Sequence, residues 1–143
     1  SKTRLRLWLK LLKTSSRIET ELRRRLRSEY DTTLPRFDVM AALSRHTSGL
    51  KMSALSSLLR VSNGNVTGIV DRLTEEGHAL RVAMPGDRRA QIAILTPAGR
   101  ASFAKLAATH ESWLDQLLHG LDAEDAATLH ALLGKTEGEI DAE

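Results

Sequence analysis

The chain has no cysteine among its 143 residues. Disulfides, thiolate zinc sites and thiol-based redox sensing are therefore excluded. It also lacks any run of about 18 apolar residues, the length a membrane-spanning helix needs. Its N-terminus alternates basic and apolar residues (Lys2, Arg4, Leu5, Arg6, Leu7) and has neither the continuous apolar stretch nor the small-residue cleavage site of a secretory signal. The expected location is the cytoplasm. No internal repeat or low-complexity segment interrupts the chain. Enzyme signatures are missing too: there is no G-x-S-x-G nucleophile turn and no G-x-x-x-x-G-K phosphate loop. Ser62-Asn63-Gly64 reads as a helix cap with no base placed beside it. No two of the five histidines are spaced four apart as in a helical zinc site, so neither metal nor cofactor is expected.

What is present is an ordinary globular composition, with 41% apolar residues in a length suited to one domain. The charge is unevenly spread. Residues 1–31 hold 10 Lys/Arg against 4 Asp/Glu, residues 32–100 hold 9 against 5, and residues 101–143 hold 2 against 9. A basic region followed by an acidic one suits a polyanion-binding protein with a separate packing segment, and equally suits solvated helix faces that happen to differ.

Hydrophobic periodicity sets out the elements. Residues 3–29 lack Gly and Pro and repeat apolar residues at Leu5, Leu9, Leu12, Ile18, Leu22 and Leu26, predicting one long helix. Arg23, Arg24, Arg25 and Arg27 form its polar face, read as solvated, with phosphate contact the alternative. Asp31-Thr32-Thr33 ends it, and Pro35 fits the first turn of a second helix running to about His46. A short third helix is expected over Met52–Leu59 with Leu55, Leu58 and Leu59 buried. After a tight turn at Arg60-Val61, Ser62 caps a fourth helix ending near Glu76, with Gly77 just past its end. Its stripe is Val66, Ile69, Val70 and Leu73. The period then changes to two: Leu80, Val82 and Met84 face Ile92 and Ile94 across Pro85-Gly86-Asp87-Arg88-Arg89, a hairpin with a basic tip. Thr96-Pro97 restarts a helix to about His119, carrying Phe103, Leu106, His110, Trp113, Leu114 and Leu117. Asp122 caps a sixth, with Leu129, Leu132 and Leu133.

Helix, tight turn, helix, hairpin is the order of a winged helix-turn-helix. Its second helix can enter the major groove, which is about 12 Å wide. Ser62, Asn63, Gly64, Asn65 and Thr67 stand at that helix's start, where side chains reach base edges. Asn can pair with adenine, a Thr methyl can touch thymine, and Gly64 and Gly68 let the backbone approach closely. Arg72 is either a phosphate contact or an ion-pair partner of Asp87. Arg88 and Arg89 suit the negative potential of a narrow minor groove, with Asp87 orienting Arg89 or Arg72.

These residues resemble the MarR family of bacterial regulators: Ser62-Asn63-Gly64-Asn65-Val66-Thr67-Gly68-Ile69-Val70-Asp71-Arg72-Leu73, Glu76-Gly77, the wing Pro85-Gly86-Asp87-Arg88-Arg89-Ala90, and Leu95-Thr96-Pro97-Ala98-Gly99. The likeness covers nearly the whole chain. Lys51, where the family usually has Ser or Thr, and His78-Ala79, where it usually has Leu-Val, depart from the pattern and bear on local packing. Leu34-Pro35-Arg36-Phe37-Asp38-Val39-Met40 also resembles members controlling aromatic-acid catabolism. The resemblance implies a mainly α chain forming a single domain, 1–143. Dimerisation helices would lie at about 1–30 and 97–143, around a winged lobe at about 34–96. It implies a homodimer on palindromic double-stranded DNA, acting as a repressor released by an aromatic acid or its CoA thioester. A pocket between the first, second and fifth helices is expected to use Arg17, Phe37, Met40, His46 and His110, an arginine for a carboxylate within apolar walls; each of these, taken singly, also reads as a packing or surface residue. The competing reading is a winged helix that binds a protein partner and needs no basic wing tip.

Overall fold

The computed structural model describes residues 1–59 and 63–142, and no side-chain detail at 63, 64, 88 and 139–142. The expected turn at Arg60-Val61 and the cap at Ser62 lie outside the described residues. The described chain forms two compact units, residues 1–110 and 111–143.

The first unit opens with α1, Lys2–Tyr30, whose first turn is capped by the Ser1 side chain accepting from the Arg4 N–H at 3.2 Å. Asp31 ends it in the left-handed region (φ 49°), its N–H donating to the Arg27 carbonyl. Leu22 and Leu26 are buried, whereas Leu5, Leu7, Trp8, Leu9 and Leu12 are about half exposed. Helix α2, Leu34–Arg45, is capped by Thr33, with Pro35 in its first turn as expected. It buries Phe37, Val39, Met40, Ala42 and Leu43. Helix α3 spans Met52–Leu59 and α4 spans Asn63–Glu75. Strand β1 is Leu50–Lys51, β2 is Ala79–Met84 and β3 is Asp87–Leu95, in the antiparallel order β1-β3-β2. Val39, Leu43, Leu55, Val66, Val70, Leu73, Ala79 and Ala93 are fully or almost fully buried and hold α2, α3, α4 and the sheet together. Full burial of each Val or Leu is worth about 1.5–3 kcal/mol relative to exposure.

Three details differ from the sequence reading. Strand β1 was not foreseen. Two residues carry no period, and β1 exists because Gly49, at φ +90°, turns the chain so that Leu50 pairs with Ala93. Leu58 is 54% exposed, not buried. The buried arc of the two-turn α3 centres on Leu55 and Ser56, and Leu58 falls at its edge. The connection of the wing is also shorter than expected: only Pro85-Gly86 joins the strands. Asp87, Arg88 and Arg89 belong to β3, and the register slips between Ala83↔Gln91 and Met84↔Asp87. Arg88, Arg89 and Ala90 therefore bulge from the ladder, unmatched on β2.

The lobe is fastened to α5, Pro97–Leu117, at one junction. Gly77 (φ +78°) closes α4: its N–H donates to the Thr74 carbonyl, and the His78 N–H to that of Leu73. The Thr96 hydroxyl donates to the Gly77 carbonyl at 2.7 Å and accepts from the Gly99 N–H at 3.0 Å, capping α5 while tying it to the end of α4. Thr96→Val keeps the shape and removes both bonds. It is expected to lower stability by about 0.5–2 kcal/mol in chemical denaturation, and a smaller loss than that range would show the cap to be redundant.

In the second unit, α6 spans Ala123–Ala142. Asp122 caps it as expected, accepting from the Asp125 N–H at 2.8 Å, while the Asp125 carboxylate accepts from the Asp122 N–H at 3.3 Å. Leu129, Leu132 and Leu133 form the expected stripe but stay exposed.

Candidate DNA-binding face and adjoining cleft

Helix α4 is held by one stripe and shows the rest. Val66, Val70 and Leu73 are buried, Asn65, Gly68 and Arg72 are exposed and Thr67 is half-buried. Asn63 and Gly64 form the first turn. Asn65 and Thr67 both have local partners in the folded chain. No Cβ added at Gly68 would meet anything within 4 Å, so the backbone there is open to close approach from outside. At its middle α4 is tied to the wing, the Arg81 guanidinium on β2 donating to Asp71 at 2.7 Å.

The wing tip has its own brace. The Asp87 carboxylate accepts from the backbone N–H of Arg89 at 3.0 Å, so Asp87 fixes the bulge through the main chain. Arg89 is exposed. Among the described residues Arg72 makes no ion pair, so the expected alternative of an Asp87–Arg72 bridge is not formed. The Arg23–Arg27 run is largely neutralised within its own helix. Arg23 pairs with Glu19 at 2.5 Å, and Arg24 and Arg25 both pair with Glu21 at 2.6 and 3.0 Å. Hydrogen bonds from Arg24 first, then Arg25, hold the Glu21 carboxyl down at about 2. The solvated reading of that face fits these pairs better than phosphate contact does.

Alongside α4 lies an open cleft of about 1290 Å³ between α1, α2, α4 and the start of α5, and its lining takes in Asn65, Gly68 and Arg72 of the exposed α4 face. Met40, Ile69 and Leu106 give it apolar wall, and Arg36, Arg72 and Glu76 give it charge. Of the expected pocket residues the structure brings only Met40 to this wall. Phe37 is buried, stacked on His110 with ring centroids 4.3 Å apart and tilted against Phe103 at 5.3 Å. Burial there pushes the His110 imidazole below its ordinary value. Arg17 lines a separate shallow pocket with Ser16, Thr20 and Glu21, and His46 is the exposed C-cap of α2. The wall includes three residues that sequence reasoning missed as pocket residues: Tyr30, whose hydroxyl lies 2.6 Å from that of Thr109, Arg36, and His78. His78 had one available signal, its departure from the family's usual leucine.

An exposed α4 face at Asn65, Gly68 and Arg72 beside a braced wing, on a three-stranded sheet, defines a winged-helix DNA-binding protein. The MarR family model matches residues 32–90. The chain is 30% identical over 112 residues to the HTH-type transcriptional regulator PecS of Dickeya dadantii, covering 77% of this chain and 68% of that protein. It is 30% identical over 132 residues to the transcriptional activatory protein BadR of Rhodopseudomonas palustris, covering 90% and 75%. Among solved structures it is similar to a MarR family regulator from Silicibacter pomeroyi, with 32% identity, a TM-score of 0.78 and coverage of 97% and 96%. At 20% identity it shares the fold of Sco3205 from Streptomyces coelicolor, solved in complex with DNA, with a TM-score of 0.81 and coverage of 98% and 92%. The chain belongs to the MarR family. It is a DNA-binding transcription regulator of the winged-helix type, and its relatives are regulators, not enzymes.

Proposed function

We propose that the protein acts as a homodimer that sets two α4 helices into successive major grooves of a palindromic operator, with the wings in the flanking minor grooves. The observation that carries the reading is the pairing of the exposed Asn65, Gly68 and Arg72 on α4 with an exposed Arg89 whose backbone is held by Asp87. In this arrangement Ser62, Asn63, Asn65 and Thr67 face bases, Arg72 meets phosphate, and Arg88 and Arg89 enter the minor groove. The exposed leucines of α1 and, separately, those of α6 are the surfaces a second copy covers. The two recognition helices then stand about 34 Å apart, one turn of DNA. Occupying a promoter in this way represses it, and the protein works in the cytoplasm, where its operator is. An aromatic acid or its CoA thioester bound in the cleft changes the balance between DNA-competent and other lobe positions. The cleft's size, its apolar wall and its arginines support that class.

Fluorescence anisotropy with the labelled intergenic DNA beside the protein's own gene tests this. Binding should survive excess random competitor and weaken steeply with salt as counterions are released. If neither that DNA nor any site selected from random sequence is preferred, the protein-binding alternative takes its place. Asn65→Ala is expected to cost about 1–3 kcal/mol per site on the operator and nothing on random DNA. Equal losses on both would remove Asn65 from base readout.

A further inference from the structure

The cleft wall contains an ion pair that closes on itself. Arg36 stands in the first turns of α2, and both carboxylate oxygens of Glu76 accept from its Nη2. Glu76 is the residue immediately after α4. Among the described residues this is the one ion pair that joins α2 to the recognition helix. Both partners are partly shielded from water, with side-chain exposures of 24% and 37%. The wall as a whole is cationic: Arg27, Arg36, Arg72 and Lys105 stand against Asp31 and Glu76. Its one ion pair across elements is thus a carboxylate on a guanidinium, a charge-assisted contact through one nitrogen that the carboxylate of a ligand can also make. His78 also lines the cleft, and its Nδ1, turned away from solvent, is the one buried side-chain nitrogen or oxygen without a hydrogen-bond partner among the described residues.

We propose that Glu76 is a built-in competitor for the cleft's anion site. Without ligand it occupies Arg36 and pins the end of α4 to α2. A carboxylate on an apolar body, entering between Met40, Ile69 and Leu106, takes Arg36 from it and releases that end of the recognition helix. The inference rests on the reading that the cleft binds an acidic ligand, and adds how occupancy reaches the DNA face. The charge of the ligand matters more than its ring, because an uncharged analogue leaves Glu76 in place.

Two measurements on the full chain separate the two ideas. The first needs no ligand. Glu76→Gln should lower operator affinity about five- to tenfold, Arg36→Gln by a similar factor, and the double variant by no more than either alone, since all three break one pair. The exchange of Arg36→Glu with Glu76→Arg should restore affinity. Glu76→Gln binding the operator within twofold of the parent overturns the competitor, whatever the cleft binds. The second uses benzoate, with benzamide as the uncharged control, titrated by calorimetry. Glu76→Gln should bind benzoate about tenfold more tightly than the parent, and Arg36→Gln should lose it. Benzoate should weaken operator binding by the parent and barely affect Glu76→Gln, a loss of coupling that mere structural damage does not produce. Equal benzoate affinity in parent and Glu76→Gln overturns the competitor and leaves the cleft reading standing. Benzoate binding to none of the three overturns both.

Discussion

Arg89→Glu is expected to abolish specific operator binding while the fold survives. Arg89 is exposed and makes no ion pair among the described residues, so none of these depends on its charge. Its place is set by others: the Pro85-Gly86 turn, the register slip that pushes Arg88–Ala90 out of the ladder, and the Asp87 carboxylate on its own N–H. All of that survives the substitution, so on the proposed reading a glutamate is delivered to the same point of the minor groove, where the negative potential is concentrated. Loss of the arginine alone forfeits a charged hydrogen bond worth about 1.5–3 kcal/mol. The added repulsion acts at both wings of a dimer. Operator affinity should therefore fall at least about a thousandfold, with the salt slope reduced by about 1 or more for each wing. An unchanged melting temperature and circular dichroism spectrum would place the loss in recognition. Retained operator binding would show that the wing does not touch DNA, and would favour the protein-binding alternative if the specific affinity were also low.

Gly99→Ala makes the opposite separation, since it damages the fold at a buried backbone contact and changes no side chain of the candidate DNA face. A Cβ at this position would lie 2.0 Å from the His78 carbonyl oxygen, 2.9 Å from its carbon and 3.1 Å from its Cα. These are backbone atoms, and none can swing aside. The His78 carbonyl is also committed, accepting from the Thr96 N–H at 3.0 Å. Relief requires α5 to back away from the α4–β2 junction. That strains the Thr96 bonds to Gly77 and Gly99 together. Alanine regains about 1 kcal/mol of helix propensity, which offsets little of this. A loss of roughly 3–5 kcal/mol is expected, lowering the melting temperature by about 6–20 °C in a chain of this size. A shift under about 2 °C would mean that the junction is pliant.

The order of elements was legible because each carries a strong local signal. The Gly-free α1, the Thr33-Leu34-Pro35 and Thr96-Pro97 starts, Gly77 at φ +78° and the alternation of Leu80 and Val82 with Ile92 and Ile94 each act over a few residues. What escaped depends on partners distant in sequence. Strand β1 is specified by Ala93 and Gly49, and has too few residues for a period. Leu58 looks like a core residue until the short α3 chooses the arc through Leu55 and Ser56. On the DNA face, the candidate residues follow from the helix-turn-helix order alone; of the two arginines expected for Asp87, it is Arg89 that contacts it, and through the backbone N–H, not the guanidinium. The cleft was less legible. Arg17, His46 and His110 were chosen for their chemistry on plausible helices, yet the fold sends them to a shallow pocket, a helix end and an aromatic stack. Arg36 and Glu76 are separated by 40 residues, and no local pattern joins them.

The two ion pairs of α4 give the helix a mechanical character. Asp71 fastens its middle to the wing through Arg81, Glu76 fastens its end to α2 through Arg36, and Val66, Val70 and Leu73 lie along the length between and before these points. Such a helix behaves as a beam with two pins. The buried stripe seats the helix on the lobe and the two pairs add a fastening at its middle and its end, so on the proposed reading wing and recognition helix travel as one reading head. Withdraw the pin at Glu76 and the remaining one becomes a pivot located beside the wing. The start of α4, on the far side of that pivot, then swings in the direction opposite to its end. On the proposed reading, a small displacement in the cleft is thereby turned into motion of the side chains that would face the bases.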